Sequence, residues 1–266
     1  MSALRPETQA ALAAVRAGLD VALRRTDAER VTAKAGVDIV TGADIAAEHA
    51  IRRVLEQRCP ALPIVGEEGG GTPAPDGGAY WLVDPICGTR NYASQLALFA
   101  TNVALIEAGQ ATIAVVGDGG TRGLSFAERG RGAFRESGER LCARDGSVIG
   151  LELGGKPPYS DPALAPFVAA LCADGRYYLR LLGSTLPLAK VASGDLAGCV
   201  LLTETADALH TAAGCLLAEE AGALVSDRSG RAWTLETRSL VLAATPALQQ
   251  QLLSWLGSLA RSSEVL

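Results

Sequence analysis

The 266-residue sequence predicts a mixed fold, with an α+β first half and an α/β second half. In the first half, short apolar runs rich in strand-forming residues are separated by glycine-containing turns, which is typical of antiparallel hairpins. In the second half, from Asp161 onward, helical and extended segments alternate as they do in an α/β layer. We therefore divide the chain into residues 1–150, with the antiparallel sheet and the polar loops, and residues 151–266, which we expect to complete the active site.

The chain opens with two predicted helices. Apolar residues recur at helical spacing over residues 6–24, beginning at a proline that suits a first helical turn. A second helix is predicted from about Ala43 to a stop at Cys59-Pro60, after the short extended segment 37–40. Asp44 therefore lies in the first turn of that helix, where a carboxylate commonly complements the helix dipole.

Several predicted strands of the first half end in polar or glycine-rich loops. The apolar run 62–65 leads into Glu67-Glu68 and three glycines, and the run 80–83 ends at Asp84. Beyond Asp84, the segment Pro85-Ile86-Cys87-Gly88-Thr89 leads into a predicted helix. Further strands are predicted at residues 101–106 and 112–116 and within a hairpin over 123–134.

The second half alternates predicted helices with predicted strands. The helices are placed at residues 162–172, 186–192, 206–221 and 246–256. The strands are placed at residues 177–181, 197–202, 224–226 and 240–244. This alternation is the basis for expecting a layered α/β arrangement in this half.

Composition and charge favour small-molecule chemistry. The chain has 24 Lys+Arg against 29 Asp+Glu, a net charge of −5, and 48% hydrophobic residues. A deficit of positive charge argues against nucleic-acid partners and anionic membrane surfaces. No apolar run reaches the roughly 18 residues that a membrane span needs. Six cysteines without a C-x-x-C pair fit neither a zinc ribbon nor a dense disulfide framework, so we expect free thiols and a cytoplasmic location.

The end of the strand at Asp84 is the best candidate for a functional site. A carboxylate there is followed, at Gly88-Thr89, by backbone N–H groups at the start of a predicted helix. Carboxylate oxygen binds a hard cation and helix-start N–H groups bind phosphate oxygen, so this segment could hold both together. Glu67-Glu68 could supply further oxygen ligands. Each motif alone is more simply a helix cap or a solvated charge, but their co-occurrence at strand ends favours a site.

Ordered motifs along residues 6–256 resemble those of the inositol monophosphatase family. They are Asp38-Ile39-Val40-Thr41-Gly42-Ala43-Asp44, Gly66-Glu67-Glu68, Trp81-Leu82-Val83-Asp84-Pro85-Ile86-Cys87-Gly88-Thr89-Arg90-Asn91-Tyr92, Gly183-Ser184, Val191-Ala192-Ser193-Gly194, Leu209-His210-Thr211-Ala212-Ala213-Gly214 and Glu220-Ala221-Gly222. The resemblance implies an αβαβα layered sandwich and a metal-dependent phosphomonoesterase, usually a homodimer, that uses Mg²⁺ ions and an activated water. It implies a small sugar, inositol or nucleotide phosphate as substrate, and the spacing from Gly183 to Gly194 is closer to the bisphosphate nucleotidase branch.

The resemblance also implies roles for the residues of these motifs. Glu67, Asp84 and the carbonyl of Ile86 would hold the first metal, and Glu67 counts with the catalytic residues. Thr89, in hydrogen-bond contact with Asp44, would orient the attacking water.

The remaining carried-over positions concern the substrate. The amides of Gly88 and Thr89 would hold its phosphate, and Lys34 falls at a family position near the metal site. Ser184 and, in a looser alignment, Glu204 lie near the family's contacts with substrate hydroxyls. Arg90 is either a contact for anionic substrate or a solvated residue of the helix surface.

Two positions depart from the family's pattern. The second carboxylate of its Asp-Pro-Ile-Asp-Gly-Thr motif is Cys87 here, and the carboxylate of its Trp-Asp motif is His210. Both missing carboxylates belong to the second metal. Because Mg²⁺ prefers hard oxygen ligands, an ordinary arrangement of two Mg²⁺ ions is not expected.

Three interpretations of this exchange stay open at the level of the sequence. In the first, one Mg²⁺ remains at Glu67, Asp84 and Ile86, and hydrolysis is slow or uses a charge supplied by the substrate. In the second, Asp84, Cys87 and His210 form an O/S/N set for Zn²⁺ or another borderline-soft ion. Mn²⁺ is a further candidate cation. In the third, no metal remains, and the cavity only binds a small anionic metabolite or performs a different, metal-independent reaction.

In the third interpretation, Cys87 is the candidate nucleophile and His210 the candidate base. This interpretation expects a lowered pKa for a thiol at a helix start, and a neutral imidazole near a helix N-terminus. The simpler alternatives are that Cys87 is a small buried filler and that His210 caps the first turn after Asp207.

Overall fold

The computed structural model describes residues 3–24, 32–33, 39–153, 161–203 and 207–257. Two sequence-predicted site residues, Lys34 and Glu204, lie outside these ranges, as does Asp38 of the first motif. All six cysteines lie inside them and are free thiols, as predicted. Among the described residues, no helix is both long enough and apolar enough to span a membrane.

The described residues contain seven α-helices and thirteen strands. The α-helices are α1 (Pro6–Arg24), α2 (Gly42–Arg58), α3 (Thr89–Ala93), α4 (Leu164–Asp174), α5 (Leu186–Ala192), α6 (Ala208–Glu220) and α7 (Pro246–Gly257), with a 3₁₀ turn at Pro75–Gly77. The strands are β1 (Thr32–Ala33), β2 (Ile39–Val40), β3 (Ile64–Gly66), β4 (Tyr80–Cys87), β5 (Ala100–Glu107), β6 (Gln110–Asp118), β7 (Leu124–Glu128), β8 (Gly132–Arg135), β9 (Val148–Leu153), β10 (Tyr178–Arg180), β11 (Gly198–Leu202), β12 (Leu224–Asp227) and β13 (Leu240–Ala243).

The longer strands form two separate sheets. The first has the order β3-β4-β5-β6-β7-β8, and its strands are antiparallel except that β3 runs parallel to β4. The second has the order β10-β9-β11-β13-β12 and is mixed, since β10, β9 and β11 are parallel while β13 and β12 pair antiparallel. The predicted antiparallel character of the first half is thus correct apart from one edge strand.

The two sheets and the helices stack in five layers. Helices α1 and α2 cover the outer face of the first sheet, and α4 and α7 pack against each other on the outer face of the second. Helices α5 and α6 lie between the sheets, and residues 211–218 of α6 are buried without interruption because apolar neighbours surround the helix on both sides. The αβαβα sandwich implied by the family resemblance is confirmed.

Two differences from the predicted elements bear on the site. Strand β4 continues to Cys87, four residues beyond the predicted end at Val83, so Asp84 and Cys87 belong to the same strand. Strand β9 was not predicted, because a glycine and Glu152 interrupt its apolar pattern. Position 150 lies inside β9, and the division of the chain there stays a prediction.

Candidate active site

The site is centred on Asp84, whose carboxylate is fully buried near the end of β4. Its Oδ2 atom lies 3.0 Å from Nδ1 of His210 and 3.4 Å from the side-chain nitrogen of Asn102. Its Oδ1 atom has no hydrogen-bond partner among the described residues. Since a buried carboxylate oxygen is costly to leave unpaired, this oxygen is suited to bind a cation or a proton.

An irregularity in β4 brings Cys87 to the same side as Asp84. The pairing of β4 with β5 shifts register between Asp84 and Cys87, where Pro85 has no N–H to donate to a ladder. Residues three apart on a regular strand point to opposite faces, but this shift lets the two side chains converge. One ligand atom each from Asp84, Cys87 and His210 lies within 4.8 Å of the other two.

The Cys87 sulfur accepts two hydrogen bonds from one residue. The amide nitrogen of Thr185 lies 3.2 Å from the sulfur and the Thr185 hydroxyl lies 2.9 Å from it. The side-chain amide of Asn102 donates to the same hydroxyl oxygen over 3.1 Å, which directs the hydroxyl proton toward the sulfur. Burial, with the neighbouring Asp84 charge, raises the pKa of Cys87 to about 11. The expected lowering of this thiol pKa is therefore wrong, because desolvation outweighs any helix-start effect.

His210 lies in the first turn of α6, with its ring against Asp84. Asp207 caps the helix by accepting from the amide of Leu209 over 3.0 Å, so the His210 side chain is not the cap. Burial lowers the pKa of His210, but the hydrogen bonds to Asp84 and Cys87 outweigh it and leave that pKa well above its ordinary value. The expectation of a neutral imidazole is wrong, because the buried carboxylate favours the imidazolium more than the helix N-terminus disfavours it.

Asp44 and Thr89 meet beside this cluster. Asp44 forms a capping box with Thr41 at the start of α2, and its second oxygen, Oδ1, accepts from the Thr89 hydroxyl over 3.1 Å. The same hydroxyl lies 3.2 Å from the carbonyl oxygen of Ile86. Burial raises the pKa of Asp44 to about 6, against the hydrogen bonds from Thr41 and Thr89. Asp44 thus serves both as the predicted helix-start carboxylate and as the partner of Thr89.

A buried carboxylate of α2 holds the loop that carries Glu67. Glu48 accepts from the amides of Glu68 and Gly69 over 2.7 and 2.8 Å and from Nε of Arg52 over 2.7 Å. The Glu67 amide donates to the carbonyl of Val83 in β4 over 3.1 Å, which fixes the loop against the strand that carries Asp84. The Glu67 side chain is half-buried and is not part of the tight group of Asp84, Cys87 and His210.

A second buried carboxylate holds the loop opposite. Glu152 of β9 is only 4% exposed, and its two oxygens accept from the amides of Leu182 and Gly183, each over 2.7 Å. The amide of Ser184 also donates to it. Burial raises the pKa of Glu152 to about 7, while these amides act in the opposite direction by favouring its ionised form. Glu152 thereby positions the segment that ends in Thr185, the residue that contacts the Cys87 sulfur.

The other predicted substrate residues occupy different surroundings. Gly88 has a φ of +104°, and a Cβ there would lie 2.8 Å from the Cβ of Ser184, so only glycine permits this close approach. Ser184 is buried, and its hydroxyl oxygen accepts from the amide of Leu186 over 3.2 Å. Arg90 is exposed on α3. The structure therefore brings Gly88 and Ser184 together and places Arg90 on the surface.

A family model described as "Inositol monophosphatase family" matches residues 3–261 of this chain. The chain belongs to the inositol monophosphatase family. As a family member it is 34% identical over 220 residues to a Rhizobium meliloti protein named inositol-1-monophosphatase, with 80% of each chain covered. It is 31% identical over 237 residues to a Pasteurella multocida protein named Nus factor SuhB, with 86% of each covered.

Solved structures show the same fold for this inositol monophosphatase family member. The crystal structure of the extragenic suppressor protein suhB from Bartonella henselae has a TM-score of 0.83 and 25% identity. The match covers 93% of this chain and 97% of that one. The relatives of this chain have two kinds of name: one names an enzyme, and the other names no reaction.

Sequence reasoning missed five residues that support the site: Glu48, Arg52, Asn102, Glu152 and Thr185. Glu48 and Arg52 are spaced four apart and resemble an ordinary surface ion pair of a helix. Thr185 follows the Gly183-Ser184 motif directly, and this adjacency was the one available signal. The remaining contacts join residues distant in sequence and could not be inferred from spacing.

Replacing Glu152 with glutamine tests whether this carboxylate holds the loop. The two carboxylate oxygens of Glu152 accept from the backbone amides of this loop, whereas the glutamine of Glu152→Gln has only one acceptor oxygen. We therefore expect the free energy of unfolding to fall by about 1–3 kcal/mol. Amide hydrogen exchange at residues 182–184 should become faster, measured by mass spectrometry or NMR.

The matched control for this variant is Glu220→Gln. Glu220 accepts from the amides of Gly130 and Gly132, each over 2.7 Å, and is therefore a similar double acceptor elsewhere in the fold. The control should lose stability without changing exchange at 182–184. Unchanged exchange at these residues in Glu152→Gln would contradict the positioning role.

Proposed function

We propose that this chain is a metal-dependent phosphomonoesterase that acts on a small phosphate ester. The observation that carries the proposal is the hydrogen bond from the Thr89 hydroxyl to Asp44. Thr89 follows Asp84 closely in the chain, and one carboxylate oxygen of Asp84 has no hydrogen-bond partner among the described residues. A hydroxyl bonded to a buried carboxylate can orient a water molecule and pass on its proton. This hydrogen bond is present in a chain that has Cys87 and His210 at the two positions where the family resemblance implies carboxylates.

Residues of the chain divide the work of hydrolysis in this proposal. The ionised Asp44 accepts a hydrogen bond from the Thr89 hydroxyl, so the Thr89 oxygen is free to accept a hydrogen bond from the attacking water. As this water bonds to phosphorus, its proton passes to Thr89 while the Thr89 proton passes to Asp44; the P–O bond to the alcohol breaks, and the leaving oxygen takes a proton from solvent. Gly88 and Thr89 supply backbone N–H groups for the phosphate, and Ser184, against Gly88, faces the rest of the substrate. A cation at the Asp84 carboxylate would neutralise phosphate charge and make a bound water easier to deprotonate.

The possible metal ligands around Asp84 suit Mg²⁺ on the side of Ile86 and Glu67, but not on the side of Cys87 and His210. The unpartnered Oδ1 of Asp84 and the Ile86 carbonyl are hard oxygens of the kind that Mg²⁺ prefers, and Glu67 is on the adjoining loop. The thiol of Cys87 and the imidazole of His210 do not fit a second Mg²⁺. One Mg²⁺, or Mn²⁺, at Glu67, Asp84 and Ile86 therefore remains part of the proposal.

A metal-independent reaction through Cys87 is the weaker proposal. A nucleophilic cysteine is expected to have a lowered pKa, whereas burial raises the pKa of Cys87 to about 11. Binding of an anionic metabolite without turnover remains an outcome of the activity test.

The substrate class is proposed from the name of a relative and not from the geometry of the site. The Rhizobium meliloti relative named inositol-1-monophosphatase makes inositol phosphates the first substrates to test, followed by sugar and nucleotide phosphates. The homodimer, the cytoplasmic location and the absence of nucleic-acid and membrane partners stay predictions from the sequence.

Phosphate release from this substrate panel, with Mg²⁺, Mn²⁺ and Zn²⁺ each supplied, tests the proposed activity. Thr89→Val removes the hydroxyl at similar volume, and we expect kcat/KM to fall about 10²–10⁴-fold. Thr89→Ser keeps a hydroxyl and should retain most of the activity. The proposal fails if no substrate is hydrolysed with any metal, or if Thr89→Val is as active as Thr89→Ser.

The pH dependence of hydrolysis should report the ionisation of Asp44. Burial raises its pKa to about 6, and only the ionised form can accept the Thr89 proton, so activity is retained above this pH and lost below it. We expect kcat/KM to fall on the order of tenfold per pH unit below about 6, and Asp44→Asn to be inactive throughout. An acid limb centred near the ordinary carboxylate value, about 4, would contradict the role of burial.

A further inference from the structure

Three chemically different ligand groups converge at Asp84, Cys87 and His210. Their ligand atoms lie within 4.8 Å of one another, although the residues come from β4 and from α6, more than a hundred residues apart. An ion pair of Asp84 and His210 with a filler at Cys87 is the simplest account of this group. Two further observations at Cys87 and Asp84 go beyond that account.

The first observation concerns the sulfur of Cys87. A neutral thiol is a weak acceptor, yet the amide and the hydroxyl of Thr185 both donate to this sulfur. Asn102 orients the hydroxyl by donating to its oxygen, so two residues are arranged around one sulfur atom. The Thr185 hydroxyl acts in favour of a thiolate, against the larger effect of burial on the Cys87 pKa. Residues that hydrogen-bond to a metal ligand have the same arrangement around the ligand atom.

The second observation concerns Asp84. Its Oδ1 atom is buried and has no hydrogen-bond partner among the described residues, whereas Oδ2 contacts both His210 and Asn102. Among the described residues, hydrogen-bond donors therefore contact only one oxygen of this carboxylate. Oδ1 is the oxygen proposed for Mg²⁺ with the Ile86 carbonyl, and a cation held jointly with Cys87 and His210 would bind Oδ2 in place of its direct hydrogen bond to His210.

We propose that Asp84, Cys87 and His210 form a binding site for a borderline-soft divalent cation, with Zn²⁺ as the best match, in place of the family's second Mg²⁺. Carboxylate, thiolate and imidazole are all Zn²⁺ ligands, and three protein ligands leave a fourth position for water or substrate. The His210 side chain is 30% exposed, so solvent reaches this group of residues. Cys87 binds as thiolate and His210 through a neutral nitrogen, and the displaced protons pass to solvent.

This inference deepens the proposed function, on which it rests, by adding a second cation beside the Mg²⁺ proposed at Glu67, Asp84 and Ile86. Metal binding and phosphate release are separate measurements, so either proposal can fail alone. Zinc bound without hydrolysis would leave the site intact and overturn the phosphatase activity, and hydrolysis with Mg²⁺ alone and no zinc site would do the reverse.

The test is competition between metals in the full-length protein. After chelation and dialysis with Zn²⁺ under excess Mg²⁺, we expect about one zinc ion per chain by elemental analysis. Co²⁺ in place of Zn²⁺ should give a near-ultraviolet band of thiolate-to-metal charge transfer. Cys87→Ser should lose both the retained zinc and the band. Cys172→Ser, which removes an exposed thiol of α4, is the matched control and should keep both.

Two further variants keep the test decisive if Cys87→Ser folds poorly. Thr185→Val removes the hydroxyl donor to the sulfur and should weaken Zn²⁺ binding about 10–100-fold while the Co²⁺ band persists. Cys87→Asp combined with His210→Asp restores the family's carboxylates and should exchange zinc retention for Mg²⁺ binding. The proposed zinc site would be overturned if Cys87→Ser or the double variant retained as much zinc as the parent. It would also be overturned if the parent gave no charge-transfer band with Co²⁺.

Discussion

The register shift in β4 between Asp84 and Cys87 is the constraint on which the site depends. It places two side chains, three residues apart, on one side of a strand, where regular alternation would separate them. It also orients the chain so that Gly88 can turn into α3 and Thr89 can reach Asp44. His210 completes the cluster because α6 lies between the two sheets and begins beside this bend.

Two buried carboxylates connect the site to the rest of the fold. Glu48 holds the amides of the loop that carries Glu67, and Glu152 holds the amides of the loop that ends at Thr185. Each carboxylate is on a regular element, α2 or β9, so two loops acquire the positions of rigid secondary structure. Burying these charges is costly, and the amide hydrogen bonds offset that cost only if the loops stay in place. The stability of the fold therefore depends on the positions of the same two loops that carry residues of the site.

Amphipathic periodicity and proline or glycine signals predicted most helices closely because these signals are local, whereas the five-layer arrangement was implied by the family resemblance. Helix α5, for example, has its predicted bounds at residues 186 and 192. The site was predictable as far as Asp84, Thr89 and Asp44, which belong to ordered motifs. Strand β9 was missed because a buried glutamate resembles a surface position. The pKa directions of Cys87 and His210 were wrong because they depend on burial and on a contact between residues 126 apart in the chain.

We propose that Asp84, Cys87 and His210 form a converging ligand set, in which a thiol and an imidazole stand where the family resemblance implies carboxylates. X-ray diffraction from zinc-soaked crystals, recorded on both sides of the zinc absorption edge, shows whether these three residues bind the cation. We expect one strong anomalous peak, at ligand distance from a carboxylate oxygen of Asp84, the sulfur of Cys87 and a ring nitrogen of His210. A direct Asp84–His210 hydrogen bond that persists with no anomalous peak beside Cys87 would contradict this proposal.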